Sequence, residues 1–152
     1  MASPLDDITA RLLRTRRFVR APIWLYRHHL GRLFGERMLM LEHRGRTTGL
    51  PRFVCLEAIE RPSRDTIVVA SGFGTTAQWY QNLQAHPDCR VSIGARFSEP
   101  ATAVMMSPQD ADAVLDRYQQ AHPAAWRRLR GAIEKTVRQP VERLPMVRLT
   151  LA

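Results

Sequence analysis

Two glycine-bearing loops, each set directly after an apolar run, limit what this chain can fold into. The first is His43-Arg44-Gly45-Arg46-Thr47-Thr48-Gly49-Leu50-Pro51-Arg52, after Met38-Leu39-Met40-Leu41. The second is Ala70-Ser71-Gly72-Phe73-Gly74-Thr75-Thr76-Ala77-Gln78-Trp79-Tyr80-Gln81-Asn82-Leu83, after Ile67-Val68-Val69. Apolar runs this short, closed off by glycine and threonine, read as strands that end in turns.

The rest of the chain fits around them. Strands are expected over residues 37–43, 51–60 and 66–71, with a turn over 61–65. The third strand is apolar on both faces and is expected to be central. Residues 89–93 and 97–106 form two more strands joined across Gly94-Ala95, a hairpin signal. Residues 146–151 form the last. Thr75-Thr76-Ala77-Gln78 matches a capping box, which starts a helix near Thr76 that ends before His86-Pro87. Ser107 caps a second helix with Pro108 in its first turn, and Pro123 separates it from a third over 124–137. About six mostly antiparallel strands with flanking helices make an α+β chain with a small barrel.

At 152 residues the chain is expected to form one domain with a sizeable core. Its net charge of +9 is concentrated in the amino-terminal third. There Ser3 to Ala21 reads as a basic amphipathic helix, with Leu5, Ile8, Leu12 and Val19 opposed to Arg11, Arg14, Arg16, Arg17 and Arg20. Such a helix either lies on its own domain or meets an anionic membrane surface. Pro22 to Leu30 forms a shorter helix with Trp24 and Tyr26. No run is long enough to span a membrane and no signal peptide is visible, so the expected compartment is the cytoplasm, with membrane association left open. Cys55 and Cys89 are isolated, and the histidines show no metal-ligand spacing, so neither a disulfide framework nor a metal site is expected.

The first loop carries donors suited to an anion. Glycine lets backbone N–H groups approach a ligand, threonine adds hydroxyls, and arginine presents a planar fork to phosphate or carboxylate oxygens. The same composition also describes a solvated hairpin tip. The second loop ends at a helix start, whose free N–H groups favour an anion ahead of it. It equally describes a plain strand-to-helix connection. No hydrolase elbow, phosphate-binding Walker loop, dinucleotide fingerprint or zinc-protease motif occurs. No acid–base pair stands out either, which suits an enzyme whose cofactor carries the reaction.

Taken together, the loops resemble the deazaflavin-dependent nitroreductase family. The resemblance rests on Gly45-Arg46-Thr47-Thr48-Gly49 with Arg52, then Ala70-Ser71-Gly72-Phe73-Gly74, Trp79-Tyr80-x-Asn82-Leu83 and Ala85-x-Pro87, in that order and spacing. Upstream, Trp24-x-Tyr26-Arg27 and Gly31-Arg32 also fit. It implies a split β-barrel of the FMN-binding type and the deazaflavin coenzyme F-420, with FMN as the alternative cofactor. The implied activity is hydride transfer to a small quinone, nitroaromatic or activated alkene. Arg44, Arg46, Arg52 and Thr48 then hold the coenzyme's phosphate and oligoglutamate tail, with Thr47 and Gly49 in the same loop. Val54, Cys55 and Leu56 flank the ring, while Ala70, Ser71, Gly72, Phe73 and Gly74 lie on the phosphate side. Gln78, Trp79 and Asn82 complete the cofactor set, although Trp79 also reads as a core anchor and Asn82 as a holder of the adjacent loop. Trp24, Tyr118 and Trp126 are the substrate-pocket candidates. Tyrosines that nitro-reducing members carry in the late helical region are missing from Pro123 to Leu129, and Phe73 stands where some members place a basic residue.

Two other readings use the same features. One is a non-catalytic flavin, haem or lipid carrier on the same barrel. The other is a basic module for nucleic acid or an anionic membrane, which lacks any groove-reading or stacking motif. A small-molecule substrate is expected, nucleic acid is not, and a homodimer is left open.

Overall fold

The computed structural model describes residues 37–137 and 143–152. The proposed amino-terminal helix over 1–21, the helix over 22–30 and the candidate residue Trp24 lie outside them.

Seven strands occur among the described residues. They are β1 (Met38–Arg44), β2 (Pro51–Glu57), β3 (Glu60–Ser63), β4 (Thr66–Ala70), β5 (Asp88–Ile93), β6 (Arg96–Met105) and β7 (Met146–Leu151). Helix α1 (Gln78–Ala85) follows β4, and α2 (Pro108–Ala121) and α3 (Pro123–Val137) lie between β6 and β7. The strands form one antiparallel sheet in the order β2-β1-β5-β6-β7-β4-β3. Strand β2 also approaches β4, so the sheet curls towards closure.

The expected count of six strands is one short, because residues 51–63 form two. Pro51–Glu57 pairs with β1, and Glu60–Ser63 pairs with β4. The expected turn over 61–65 contracts to Arg64-Asp65. There the Ser63 hydroxyl donates to Thr66 Oγ1 at 2.9 Å and accepts from the Asp65 N–H at 3.3 Å. The Gly94-Ala95 hairpin forms as expected, between β5 and β6.

Two packed layers explain the buried faces. Inside the curl lie Leu39, Leu41, Ile67, Val69, Val91, Ile93, Val147 and Leu149, closed by Trp79, Tyr80 and Leu83 of α1. On the back, Val68 and Met146 pack under Val114, Leu115 and Tyr118 of α2 and Trp126 and Ile133 of α3. Each large apolar side chain fully buried this way contributes about 1.5–3 kcal/mol relative to exposure. Strand β4 is therefore apolar on both faces without being central. It sits beside the edge strand, and its second apolar face is covered by the helical layer.

Helix α2 starts as expected, with the Ser107 hydroxyl accepting from the Asp110 N–H at 3.2 Å. Helix α1 does not. A 3₁₀ turn at Gly74–Thr76 comes first, the chain passes through extended Ala77, and the helix begins at Gln78 with no side-chain cap. The Thr76 hydroxyl donates to the Phe73 carbonyl instead, at 3.0 Å. The capping-box pattern fails because the Gln78 side chain is engaged elsewhere. No described helix is long and apolar enough to cross a membrane.

Candidate functional site

A cleft of about 1560 Å3 opens between the first loop, strand β2, the second loop, α1 and α3. Its walls divide by chemistry. One end is polar, with His43, Arg46, Thr47, Thr48, Arg52, Gln78 and Asn82; the other is largely apolar, with Val54, Leu56, Ile59, Leu129, Ile133 and Leu144 together with the Glu57 carboxylate.

The polar end is built by the first loop closing on itself. The Gly45 N–H donates to the Leu50 carbonyl at 2.9 Å, and the Gly49 N–H to the Gly45 carbonyl at 2.8 Å. Gly49 has φ 71°, a left-handed conformation that glycine adopts without strain. A side chain at Gly45 would collide with the Thr48 hydroxyl, whose oxygen lies 2.7 Å from the position a Cβ would take. That hydroxyl accepts from the Leu50 N–H at 3.2 Å.

Helix α1 holds this loop through Asn82. The buried Asn82 Oδ1 accepts from the Arg46 backbone N–H at 3.1 Å and from Arg46 Nη1 at 2.9 Å. Arg46 Nη1 also donates to Gln78 Oε1 at 2.9 Å. On its other side the Asn82 amide meets His43 Nδ1 at 3.0 Å. Gln78 and Asn82 lie four residues apart, hence on one helix face, and together they hold the Arg46 guanidinium at the cleft. His43 is buried, and its pKa is pushed down to about 4, first by burial and then by the charge of Arg52. Arg52 is its cross-strand partner. Neutral His43 therefore sits beside Arg52 and is linked to Arg46 through Asn82.

The second loop spends its Ser71 and Thr76 hydroxyl donors on itself. The Ser71 hydroxyl donates to the Gly74 carbonyl at 2.6 Å, its N–H to the Pro145 carbonyl at 2.8 Å, and the Gly74 N–H to the Ser71 carbonyl at 3.2 Å. Gly72 packs on Ile133, whose Cδ1 would lie 3.1 Å from a Cβ there. That close approach brings the loop against α3. Phe73 stays exposed at the mouth of the cleft.

Of the residues expected from the sequence to bind a cofactor, Arg46, Thr47, Thr48, Arg52, Val54, Cys55, Leu56, Ala70, Gly72, Phe73, Gln78, Trp79 and Asn82 are brought together on this cleft. Arg44, Gly49, Ser71 and Gly74 do not line it. Arg44 is exposed at the end of β1. Tyr118 and Trp126 do not line it either. Both are buried under the helical layer, and Tyr118 donates to Glu57 Oε1 at 3.0 Å. Burial, with the Glu57 charge, pushes the Tyr118 hydroxyl up to about 12, so it keeps its proton. Cys55 is also pushed up to about 12 by burial, which leaves a thiol too weakly ionised to act as a nucleophile.

The sequence did not single out His43, Ile59, Leu129, Ile133 and Leu144 as lining residues. Strand alternation could have found His43, since it shares a face with Leu39 and Leu41. Leu129 and Ile133 are four apart on one helix face. Only the fold brings that face to the cleft.

A sequence model of the F420H(2)-dependent quinone reductase family matches residues 18–141. A Mycobacterium tuberculosis protein named as an F420H(2)-dependent quinone reductase is 38% identical over 74 residues, covering 47% of this chain and 60% of that protein. The chain thus spans about three fifths of the curated relative it matches. Among solved structures, an F420-H2 dependent reductase aligns over 76% of this chain and 95% of its own, with a TM-score of 0.53 and 16% identity. The haem storage protein HutZ of Vibrio cholerae aligns over 88% and 90%, with a TM-score of 0.52 and 12% identity. At these identities the structures speak for the split-barrel fold alone.

Proposed function

The chain belongs to the F420H(2)-dependent quinone reductase family, and from that premise we propose that its cleft binds the reduced deazaflavin coenzyme beside a small oxidised acceptor of the quinone class. The observation that carries this reading is the division of the cleft into a polar end centred on Arg46 and Arg52 and an apolar end formed by Val54, Leu56, Leu129 and Ile133.

The residues present fit such a coenzyme. Its phosphate and oligoglutamate tail, as the family resemblance implies them, ask for several donors in a row, and arginine forks supply paired donors to oxyanions. Arg46 arrives already oriented, which spares part of the ordering cost of binding. The strand residues Val54, Cys55 and Leu56 line the cleft, where their backbone can flank a ring system. When bound, the coenzyme supplies the hydride; the chain itself binds, orients and excludes water. Neither Cys55 nor Tyr118 competes with that role, since both hold their protons. The volume exceeds the usual range for a single small ligand, roughly 300–1,000 Å3, and leaves space for an acceptor at the apolar end.

The reading is tested by fluorescence titration with the deazaflavin coenzyme beside FMN in one buffer. The deazaflavin coenzyme should bind at least about tenfold tighter, a difference of about 1.4 kcal/mol that one charge-assisted pair can supply. Oxidation of the reduced coenzyme should then be faster with a naphthoquinone than with a nitroaromatic. Equal affinities would favour the flavin-carrier alternative, and binding without turnover of either acceptor would favour a carrier of the deazaflavin.

A further inference from the structure

The orientation of one buried amide determines where a proton sits in the cleft. Asn82 presents to Arg46 a single atom that receives two donors, the backbone N–H and Nη1. An amide oxygen can accept both and an amide nitrogen can accept neither, so this atom is Oδ1. The opposite end of the same amide is then Nδ2, and it must donate to His43 Nδ1, 3.0 Å away. An imidazole nitrogen that accepts carries no proton, so the neutral ring bears its proton on Nε2. His43 is 5% exposed, lines the cleft, and none of the described groups accepts a hydrogen bond from its Nε2.

From this arrangement we infer that His43 is a binding residue of the cleft, a neutral N–H donor that completes an oxyanion site with Arg46 and Arg52. The inference rests on the reading that the cleft takes an anionic ligand, and adds a specific atom to it. Its ligand is a phosphoryl or carboxylate oxygen. A third cation there would cost more, because burial and Arg52 both oppose charging the ring. A neutral donor lets two arginines and one imidazole converge without mutual repulsion. Asn82 becomes a positioning residue under this arrangement, since it sets the tautomer of His43 and the direction of Arg46 at once.

Long-range 1H–15N spectra of the 15N-labelled full chain read the tautomer directly. At pH 7 His43 should appear with its proton on Nε2. That Nε2 resonance should move on titration with inorganic phosphate and, separately, with the deazaflavin coenzyme, while the exposed His122 stays in place. His43→Gln keeps an acceptor towards Asn82 and a donor towards the cleft, and should bind the coenzyme within about threefold of the parent. His43→Phe removes the donor and should weaken binding about fivefold to tenfold, with the salt dependence of binding unchanged because no charge is lost. A proton on Nδ1, an Nε2 resonance indifferent to both titrants, or equal affinity in the folded His43→Phe chain would overturn the inference. Should His43→Phe fail to fold, the tautomer and the two titrations decide it. Loss of coenzyme binding in the parent chain alone, with the phosphate shift intact, would remove the coenzyme reading and leave the oxyanion site standing.

Discussion

The two glycine loops use similar residues in opposite ways. Both follow apolar strands, both contain two glycines and neighbouring hydroxyl residues, and both reach the same cleft. The first adds support from outside to its own backbone closure. Asn82 and Gln78 on α1 take up Arg46, and the loop's remaining donors stay exposed beside Arg52. The second turns its hydroxyl donors inward, with Ser71 donating to Gly74 and Thr76 donating to Phe73. A hydroxyl already donating to a carbonyl within its own loop has no proton left for a ligand. Composition alone does not distinguish a binding loop from a self-satisfied one; where its donors already point does.

Asn82→Ala should separate the loops most sharply. It strands the Arg46 N–H and His43 Nδ1 together, and each buried polar group left unpaired costs about 1–3 kcal/mol. A loss of about 3 kcal/mol in urea unfolding is expected, along with weaker coenzyme binding. A loss below about 1 kcal/mol would mean that the first loop supports itself as the second does.

Acid should weaken the same link. His43 has a pKa near 4 in the fold against 6.5 for a free imidazole. The unfolded chain therefore binds the proton more readily, and stability falls as pH drops from about 6.5 to 4. This one residue accounts for roughly 2–3 kcal/mol over that window. Urea midpoints of the parent and His43→Gln, followed from pH 7 to 4, should diverge towards acid, the parent falling below the variant, because glutamine does not titrate. Parallel curves would show that His43 titrates normally.

Smaller effects test the exposed donors. Arg46→Ala should weaken coenzyme binding by about 1–3 kcal/mol, and Arg52→Ala by less, since Arg46 alone has its guanidinium held in place by α1. Thermal stability should change little for Arg52→Ala, an exposed residue. Titration of the two variants against coenzymes of different tail length shows which one meets the tail. The smallest effect belongs to the second loop. Ser71→Ala should cost about 1 kcal/mol of stability and leave coenzyme affinity within about twofold. A large affinity loss there would mean that the Ser71 hydroxyl turns to the ligand, and the contrast between the loops would fail.

Much of the architecture could be read in advance. Hairpins at Gly94-Ala95, the Ser107 cap and the strand ends next to the first loop depend on local backbone chemistry, which a sequence states directly. Long-range burial is not legible where the local pattern admits two partners. Ile67-Val68-Val69 demands two apolar neighbours, but a second sheet strand and a helix answer that demand equally well, and here helices cover the back. The capping box at Thr75 was equally persuasive in one dimension. It does not form because the Gln78 amide oxygen is taken by Arg46, thirty-two residues away in the chain.

The site divides along the same line. By itself the sequence determined which residue types gather in the two loops, their spacing after strands, and through these the family resemblance and the barrel class. Those properties follow from neighbours along the chain. Only the tertiary structure decided that Ser71 is spent within its own loop, that Tyr118 and Trp126 pack behind the sheet, and that Leu129 and Ile133 line the cleft. It also decided that Asn82 directs both Arg46 and His43. Hydrogen-bond direction and burial depend on what lies across space, and residues 36 or 39 positions apart meet only once the sheet has curled.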